Sequence, residues 1–122
     1  MPTLFDRLGG EEVISKIIRD FYAIMLEDSR INYIFKSVDI EALQRKQAWF
    51  FTSLTLEKNK GTHDYMRRAH KNLVQQHGLN SIHFDAAIEC LKKAMQANKI
   101  DPQSISDTLA HAQALENFVL DR

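Results

Sequence analysis

The stretch His63-Asp64-Tyr65-Met66-Arg67-Arg68-Ala69-His70-Lys71-Asn72-Leu73-Val74-Gln75-Gln76-His77-Gly78 decides how the chain is read. It holds no proline and ends on Gly78, so it reads as one amphipathic helix. On a 3.6-residue period Met66, Ala69, His70, Leu73 and Val74 share a face, while Arg67, Arg68, Lys71 and Gln75 take the others. His70 thus lies in the middle of an apolar stripe, where a polar group needs a partner. Two readings are open at this point: a core histidine bonded to a carbonyl, or a single axial metal ligand. A zinc site on this helix alone is excluded by spacing. His63, His70 and His77 are seven residues apart, about 10.5 Å along the axis, whereas zinc draws its ligand atoms to about 2 Å. A metal held by His70 therefore comes inside a larger cofactor.

The chain of 122 residues has room for one core and is read as a single domain over 1–122. Lys plus Arg and Asp plus Glu both total 16, which lacks the basic footprint of a nucleic-acid binder or a polybasic membrane module. One cysteine, Cys90, rules out an intrachain disulfide and suits a reducing compartment. Neither a signal-peptide pattern nor an apolar run long enough to span a bilayer is visible, so a cytoplasmic protein with no membrane partner is the expectation.

Thr3 caps a short first helix carrying Leu4, Phe5 and Leu8, which Gly9-Gly10 ends. Glu11 to Leu26 follows, with acidic residues in its first turn and Ile14, Ile17, Ile18, Phe21 and Met25 as its buried stripe. Tyr22 falls at the stripe's edge, its ring packed and its hydroxyl near water. Asp28 to Val38 is a connection with a short helical piece around Ile31 to Phe35. Asp39 is the N-cap of a helix to about Leu56 whose stripe is Leu43, Gln47, Phe50, Phe51 and Leu54. Gln47 interrupts that stripe; it either makes a structural hydrogen bond or lines a pocket. Lys46 beside it can snorkel to solvent. Glu57 to Thr62 is a loop holding Gly61. Ser81 caps a helix carrying Phe84, Ala87, Ile88, Leu91 and Met95. Asp101-Pro102 opens a last helix carrying Ile105, Leu109, Ala112, Leu115 and Val119. No segment alternates with period two, so the fold class is all-α.

Several ordered motifs resemble one family. Tyr65 to Lys71, then His77-Gly78-Leu79-Asn80 and His83-Phe84-Asp85, are similar to the proximal half of a group I truncated haemoglobin. Leu4-Phe5-Asp6-Arg7-Leu8-Gly9-Gly10 resembles that family's opening, and Phe21-Tyr22 and Ile34-Phe35 stand at the expected distances. The resemblance runs without gaps from Leu4 to about Leu91 and fades after residue 100. It implies a two-over-two helical sandwich around haem b, with His70 as the proximal iron ligand and cofactor binding coupled to folding. Phe35, Phe50, Met66, Leu73, Leu79 and Phe84 are then the apolar walls, and His77 reaches a propionate or the helix dipole. Tyr22 and Gln47 become the distal donors that stabilise a bound diatomic ligand: dioxygen, nitric oxide or carbon monoxide.

Departures from the family pattern sharpen these expectations. Leu43 stands where globins often place a polar distal residue, which leaves ligand stabilisation to Tyr22 and Gln47. Lys46 stands where some relatives carry a histidine or lysine that binds iron as a sixth ligand. Deprotonating an ordinary lysine at pH 7 costs roughly 4–5 kcal/mol, so a propionate partner at neutral pH is favoured, with ligation growing as pH rises. Leu56-Glu57 replaces the second Gly-Gly the family commonly shows. Asn117 matches the position of the last-helix histidine that attaches haem covalently in certain members, so non-covalent haem is expected. Cys90 receives no role.

The leading function is therefore a gas-binding haem protein and a monomer. Conversion of nitric oxide to nitrate would need a reductase that the sequence does not name. The alternatives are a cofactor-free helical interaction domain, and a gas sensor acting through a separate partner.

Overall fold

The structure, a computed structural model, describes residues 3–36, 38–56, 66–68, 70, 71, 74, 75 and 78–120, with the backbone alone for Leu54. Leu73 and His77, the Glu57–Thr62 loop and the start of the His63–His77 helix lie outside the described residues.

Local chemistry sets the first two helices. Thr3 Oγ1 accepts the Asp6 N–H at 3.2 Å and Asp6 Oδ2 accepts the Thr3 N–H at 3.3 Å. This reciprocal box starts α1 (Leu4–Arg7). Gly9 then turns the chain with φ 103°, and a Cβ there would lie 2.6 Å from Val13 Cγ2, so a side chain is excluded on two counts. Helix α2 (Gly10–Leu26) carries Glu11 and Glu12 in its first turn and buries Ile14, Ile17, Ile18, Phe21 and Met25 as the periodicity requires. Tyr22 differs from expectation. At 4% exposure it belongs to the buried face rather than its edge.

A 3-10 turn (Asn32–Phe35) leads to α3 (Ile40–Thr55), opened by Asp39 Oδ1 accepting the Ala42 N–H at 3.2 Å. Residues 66–68, 70, 71, 74 and 75 are helical, and Gly78 follows with φ 64°, the left-handed conformation glycine takes most easily after a helix end. Met66 is buried, His70 and Val74 are half-buried, and Arg68, Lys71 and Gln75 are exposed. Arg67 is half-buried, and its guanidinium lies 5.1 Å from the Phe118 ring centroid.

Helix α4 (Ser81–Ala97) is capped by Asn80, not by Ser81. The Asn80 Oδ1 accepts the Ile82 N–H at 2.9 Å, while Ser81 is the first helical residue and its hydroxyl donates to Glu116 at 3.2 Å. Asp101 Oδ2 accepts the Ser104 N–H at 2.9 Å and Pro102 occupies the first position of α5 (Pro102–Gln113). The single last helix expected from periodicity is two helices. The chain turns at Ala114-Leu115 and resumes as α6 (Glu116–Val119). The turn has its own bonds, from Ala114 N–H to Ala110 O and from Leu115 N–H to Ala112 O, both 3.1 Å.

Helix α2 packs on α3 and on α4, α4 packs on α5, and α1 touches α2, α3 and α5. Two helix pairs, α2 with α3 and α4 with α5, are thereby stacked through α2 and α4. Arg30 adds a polar tie outside the core, its Nη2 2.7 Å from Asp28 Oδ2 and 2.8 Å from Glu89 Oε2 on α4. No strand occurs among the described residues, and no helix of the described residues is long and apolar enough to cross a membrane.

The core is divided. One cluster gathers Leu8, Ile14, Ile17, Ile18, Cys90, Ala94 and Met95 with their neighbours; a second joins Phe50, Met66, Phe84, Leu115, Val119 and Leu120.

Candidate functional site

Between the two clusters lies a cavity of about 200 Å³. Protein interiors pack to crystal-like density, and at about 24 cal/mol per Å³ a closed dry void of this size would cost about 5 kcal/mol. A space of this size in so short a chain is the candidate binding site. Helix α2 supplies Phe21, Tyr22 and Met25, and the following turn Ile31, Ile34 and Phe35. Helix α3 supplies Leu43, Gln47, Phe50 and Phe51; Met66 and His70 come from the next helical segment. Leu79, His83, Phe84, Ala87, Ile88, Leu91, Ala112, Leu115 and Val119 close it.

The lining is almost wholly apolar. Its polar members are Tyr22, Gln47, His70 and His83, and no carboxylate, lysine or arginine is among the described residues that line it. Such a wall suits a mainly apolar guest.

His70 has defined hydrogen-bond chemistry. Its Nδ1 lies 2.8 Å from the Met66 carbonyl oxygen, one helical turn back. A carbonyl can only accept, so Nδ1 carries the proton and Nε2 keeps its lone pair. Burial pulls the imidazole below its ordinary value, against a smaller opposing effect of the Met66 bond. The ring is therefore neutral at pH 7, the form that donates to a metal. Of the two readings left open for this residue, the carbonyl-bonded one is seen directly: His70 bonds the Met66 carbonyl, and its other nitrogen keeps its lone pair.

Tyr22 lines the cavity with its ring set edge-on to Phe35, centroids 6.0 Å apart at 83°, and tilted against Phe21 at 5.3 Å. Gln47 is half-buried and also lines it, as does Leu43. Phe35, Phe50, Met66, Leu79 and Phe84 stand in the lining. Lys46 does not: its side chain is exposed on α3 and is not among the lining residues. Cys90 is buried away from the cavity, its thiol 3.8 Å from Asp28 Oδ2, and burial pushes it up to about 11, as befits an inert core thiol.

His83 also lines the cavity; the sequence marks it only as part of the His83-Phe84-Asp85 motif and gives it no role. It is 7% exposed, with both ring nitrogens engaged. Nδ1 accepts the Asn80 N–H at 3.0 Å, and Nε2 meets the Tyr33 hydroxyl. The signal was present in the order Asn80-Ser81-Ile82-His83, a capping box with histidine in the place of the usual glutamate.

Comparison with known proteins agrees with this architecture. Residues 3–120 match the bacterial-like globin family. The chain is 36% identical to the group 1 truncated haemoglobin of Synechocystis, over 93% of this chain and 92% of that one. It is 31% identical to the group 1 truncated haemoglobin of Tetrahymena thermophila, over 87% and 84%. Among solved structures, the 2/2 haemoglobin of Synechococcus sp. PCC 7002, in its cyanomet state with covalently attached haem, superposes with a TM-score of 0.86. That match covers 99% of this chain and 100% of the other at 28% identity. The ferric truncated haemoglobin of Tetrahymena pyriformis gives 0.84 at 26% identity, covering 98% of both chains. The divided helical core, the cavity within it and these likenesses agree: the chain is a member of the bacterial-like globins, with the two-over-two helical sandwich of the group 1 truncated haemoglobins.

Proposed function

We propose that this chain binds haem b non-covalently in the cavity, with His70 as its axial ligand, and takes up dioxygen, carbon monoxide and nitric oxide there. The observation that carries this reading is the pairing of an apolar cavity with a half-buried, neutral imidazole whose Nδ1 is fixed on a carbonyl. That combination fits haem and fits a hydrated divalent ion poorly, since hard cations take oxygen ligands. Bound there, haem would supply a ferrous iron that can take up a diatomic gas.

The residues divide the work. His70 Nε2 holds the metal, and the Met66 carbonyl keeps the ring oriented and its basicity high. Phe35, Phe50, Leu79 and Phe84, together with Leu73, pack the macrocycle and exclude water. Tyr22 and Gln47 offer O–H and N–H donors to a ligand that draws electron density, while Leu43 contributes shape alone. His77 is assigned to a propionate. Asn117 has an amide, which does not add to a vinyl group as an imidazole can, so the attachment is non-covalent.

Lys46, being exposed, is assigned to a propionate at neutral pH rather than to the metal. Lys46→Ala should leave the ferrous absorption spectrum at pH 7 unchanged and speed haem loss about 2- to 5-fold, the worth of a solvent-exposed ion pair. A low-spin ferrous spectrum at pH 7 that turns high-spin in Lys46→Ala would contradict this and make Lys46 an iron ligand.

Nitric oxide dioxygenation is the enzymatic extension of the same site. Its balance, nitric oxide plus dioxygen plus one electron giving nitrate, requires an outside reductant. Tyr22 and Gln47 serve it by orienting dioxygen. The test of the gas-binding reading is to reduce the haem-loaded protein and admit carbon monoxide, then dioxygen after removal of the first gas. A saturable, reversible change of the visible bands with each gas is expected; an unchanged spectrum overturns the reading.

A further inference from the structure

Among the described residues two imidazoles line the cavity, and they are held in opposite tautomers. His70 donates from Nδ1 to the Met66 carbonyl, which leaves Nε2 as a lone pair. His83 receives the Asn80 backbone N–H at Nδ1. An N–H donates only, so His83 Nδ1 must be the unprotonated nitrogen and the ring proton must sit on Nε2. That Nε2–H then donates to the Tyr33 oxygen, a short 2.5 Å contact, with the rings nearly edge-on at 67°. An imidazole with one lone pair spent on a backbone amide and its proton spent on a phenol has nothing to give a metal.

Resting on the haem reading above, we propose that Asn80 and Tyr33 lock His83 as the Nε2–H tautomer, and that this lock keeps the second imidazole of the cavity off the metal so that His70 alone ligates it. The two sides of the lock have different origins. The Asn80 N–H is fixed by the capping box that starts α4, in which the Asn80 side chain bonds Ile82 N–H and the His83 ring bonds back. Tyr33 comes from the 3-10 turn two residues before Phe35, another lining residue, and is 42% exposed. Tyr33→Phe therefore removes the hydroxyl from a partly exposed ring without opening a void in the core. The lock answers a selection problem specific to this pocket: a guest that needs one imidazole meets two among the described residues. A glutamine at residue 83 could close the same capping box without posing that problem, so the histidine is tolerated here because Tyr33 occupies its free side.

Two measurements test the proposal. The first reads the ring itself, by ¹⁵N NMR of histidine-labelled protein in the diamagnetic ferrous, carbon monoxide-loaded state and in the haem-free state. His83 should show an unprotonated Nδ1 and a protonated Nε2 in both; the reverse tautomer, or a doubly protonated ring at neutral pH, overturns the lock. The second loads haem into His70→Gly, His70→Gly/Tyr33→Phe and the triple variant that adds His83→Gln, and reads axial ligation by ferrous absorption and magnetic circular dichroism. The first variant should show no histidine ligation; the second, in which the ring has lost one side of its lock and can rotate off the Asn80 N–H to free a nitrogen, at least a 10-fold larger histidine-ligated fraction; and the third should lose it again. Histidine ligation by His83 already present in His70→Gly, or no gain on adding Tyr33→Phe, contradicts the proposal. Failure of the wild type to take up haem would defeat the haem reading instead, and the tautomer pattern of the haem-free protein would still decide whether the lock exists.

Discussion

Replacing His70 by alanine should lower haem affinity by at least about 100-fold and abolish the five-coordinate histidine-ligated ferrous spectrum. The reasoning runs from the ring outward. Loss of an outer-shell partner of a metal-binding histidine costs about 10- to 100-fold in affinity, so loss of the ligand itself lies beyond that range. The apolar walls from Phe35, Phe50 and Phe84 remain, so weak binding through the macrocycle persists, and the discriminating signal is the spectrum together with the affinity. Exogenous imidazole should restore the wild-type bands in part, because the alanine leaves space for it. A second signature is the pH profile of the haem-free protein. Burial holds the folded-state value of His70 below its ordinary one, so the unfolded chain binds more protons as pH falls past about 6.5. Wild-type stability should therefore decline over that acid range, measured by urea unfolding, and the His70→Ala protein should lack that part of the decline.

The second large effect concerns the donors. Tyr22→Phe should speed dioxygen release about 10- to 100-fold, and Tyr22→Phe with Gln47→Leu more than either alone, as read by flash photolysis or stopped-flow mixing. A hydrogen bond to a charged acceptor contributes about 1.5–3 kcal/mol, and each 1.4 kcal/mol is a factor of ten. Dioxygen draws more electron density than carbon monoxide, so release of carbon monoxide should change far less. Equal effects on the two gases would mean that Tyr22 acts by packing against Phe21 and Phe35 rather than by donating. Leu43 cannot compensate, having no polar atom.

Much of this was legible in the residues, for identifiable reasons. The Thr3 cap, the Gly9 turn, the buried face of α2 and the Asp101-Pro102 start are local signals, settled within four residues of the chain, and the structure has each of them. The cap of α4 was displaced by one residue because Asn80 and Ser81 both accept hydrogen bonds. What decides between them is His83 at the third helical position, reaching back to the Asn80 N–H. The break at Ala114-Leu115 has no glycine or proline to mark it, and its carbonyls are satisfied within the turn, so periodicity ran through it. Tyr22 is buried because Phe35 and the cavity wall come from other elements, a tertiary effect that no single-helix pattern contains. His83 shows the same limit at the site. Its sequence neighbours give the cap, but only the fold brings Tyr33, fifty residues earlier, to its other nitrogen.

The most direct test of the account is an equilibrium titration of the haem-free protein with hemin, followed at the intense near-ultraviolet haem band and repeated after reduction. Saturation at one haem per chain, with a histidine-ligated ferrous spectrum absent from His70→Ala, is the predicted result. A wild-type protein that develops no saturable band contradicts the central claim and leaves a colourless helical interaction domain in its place.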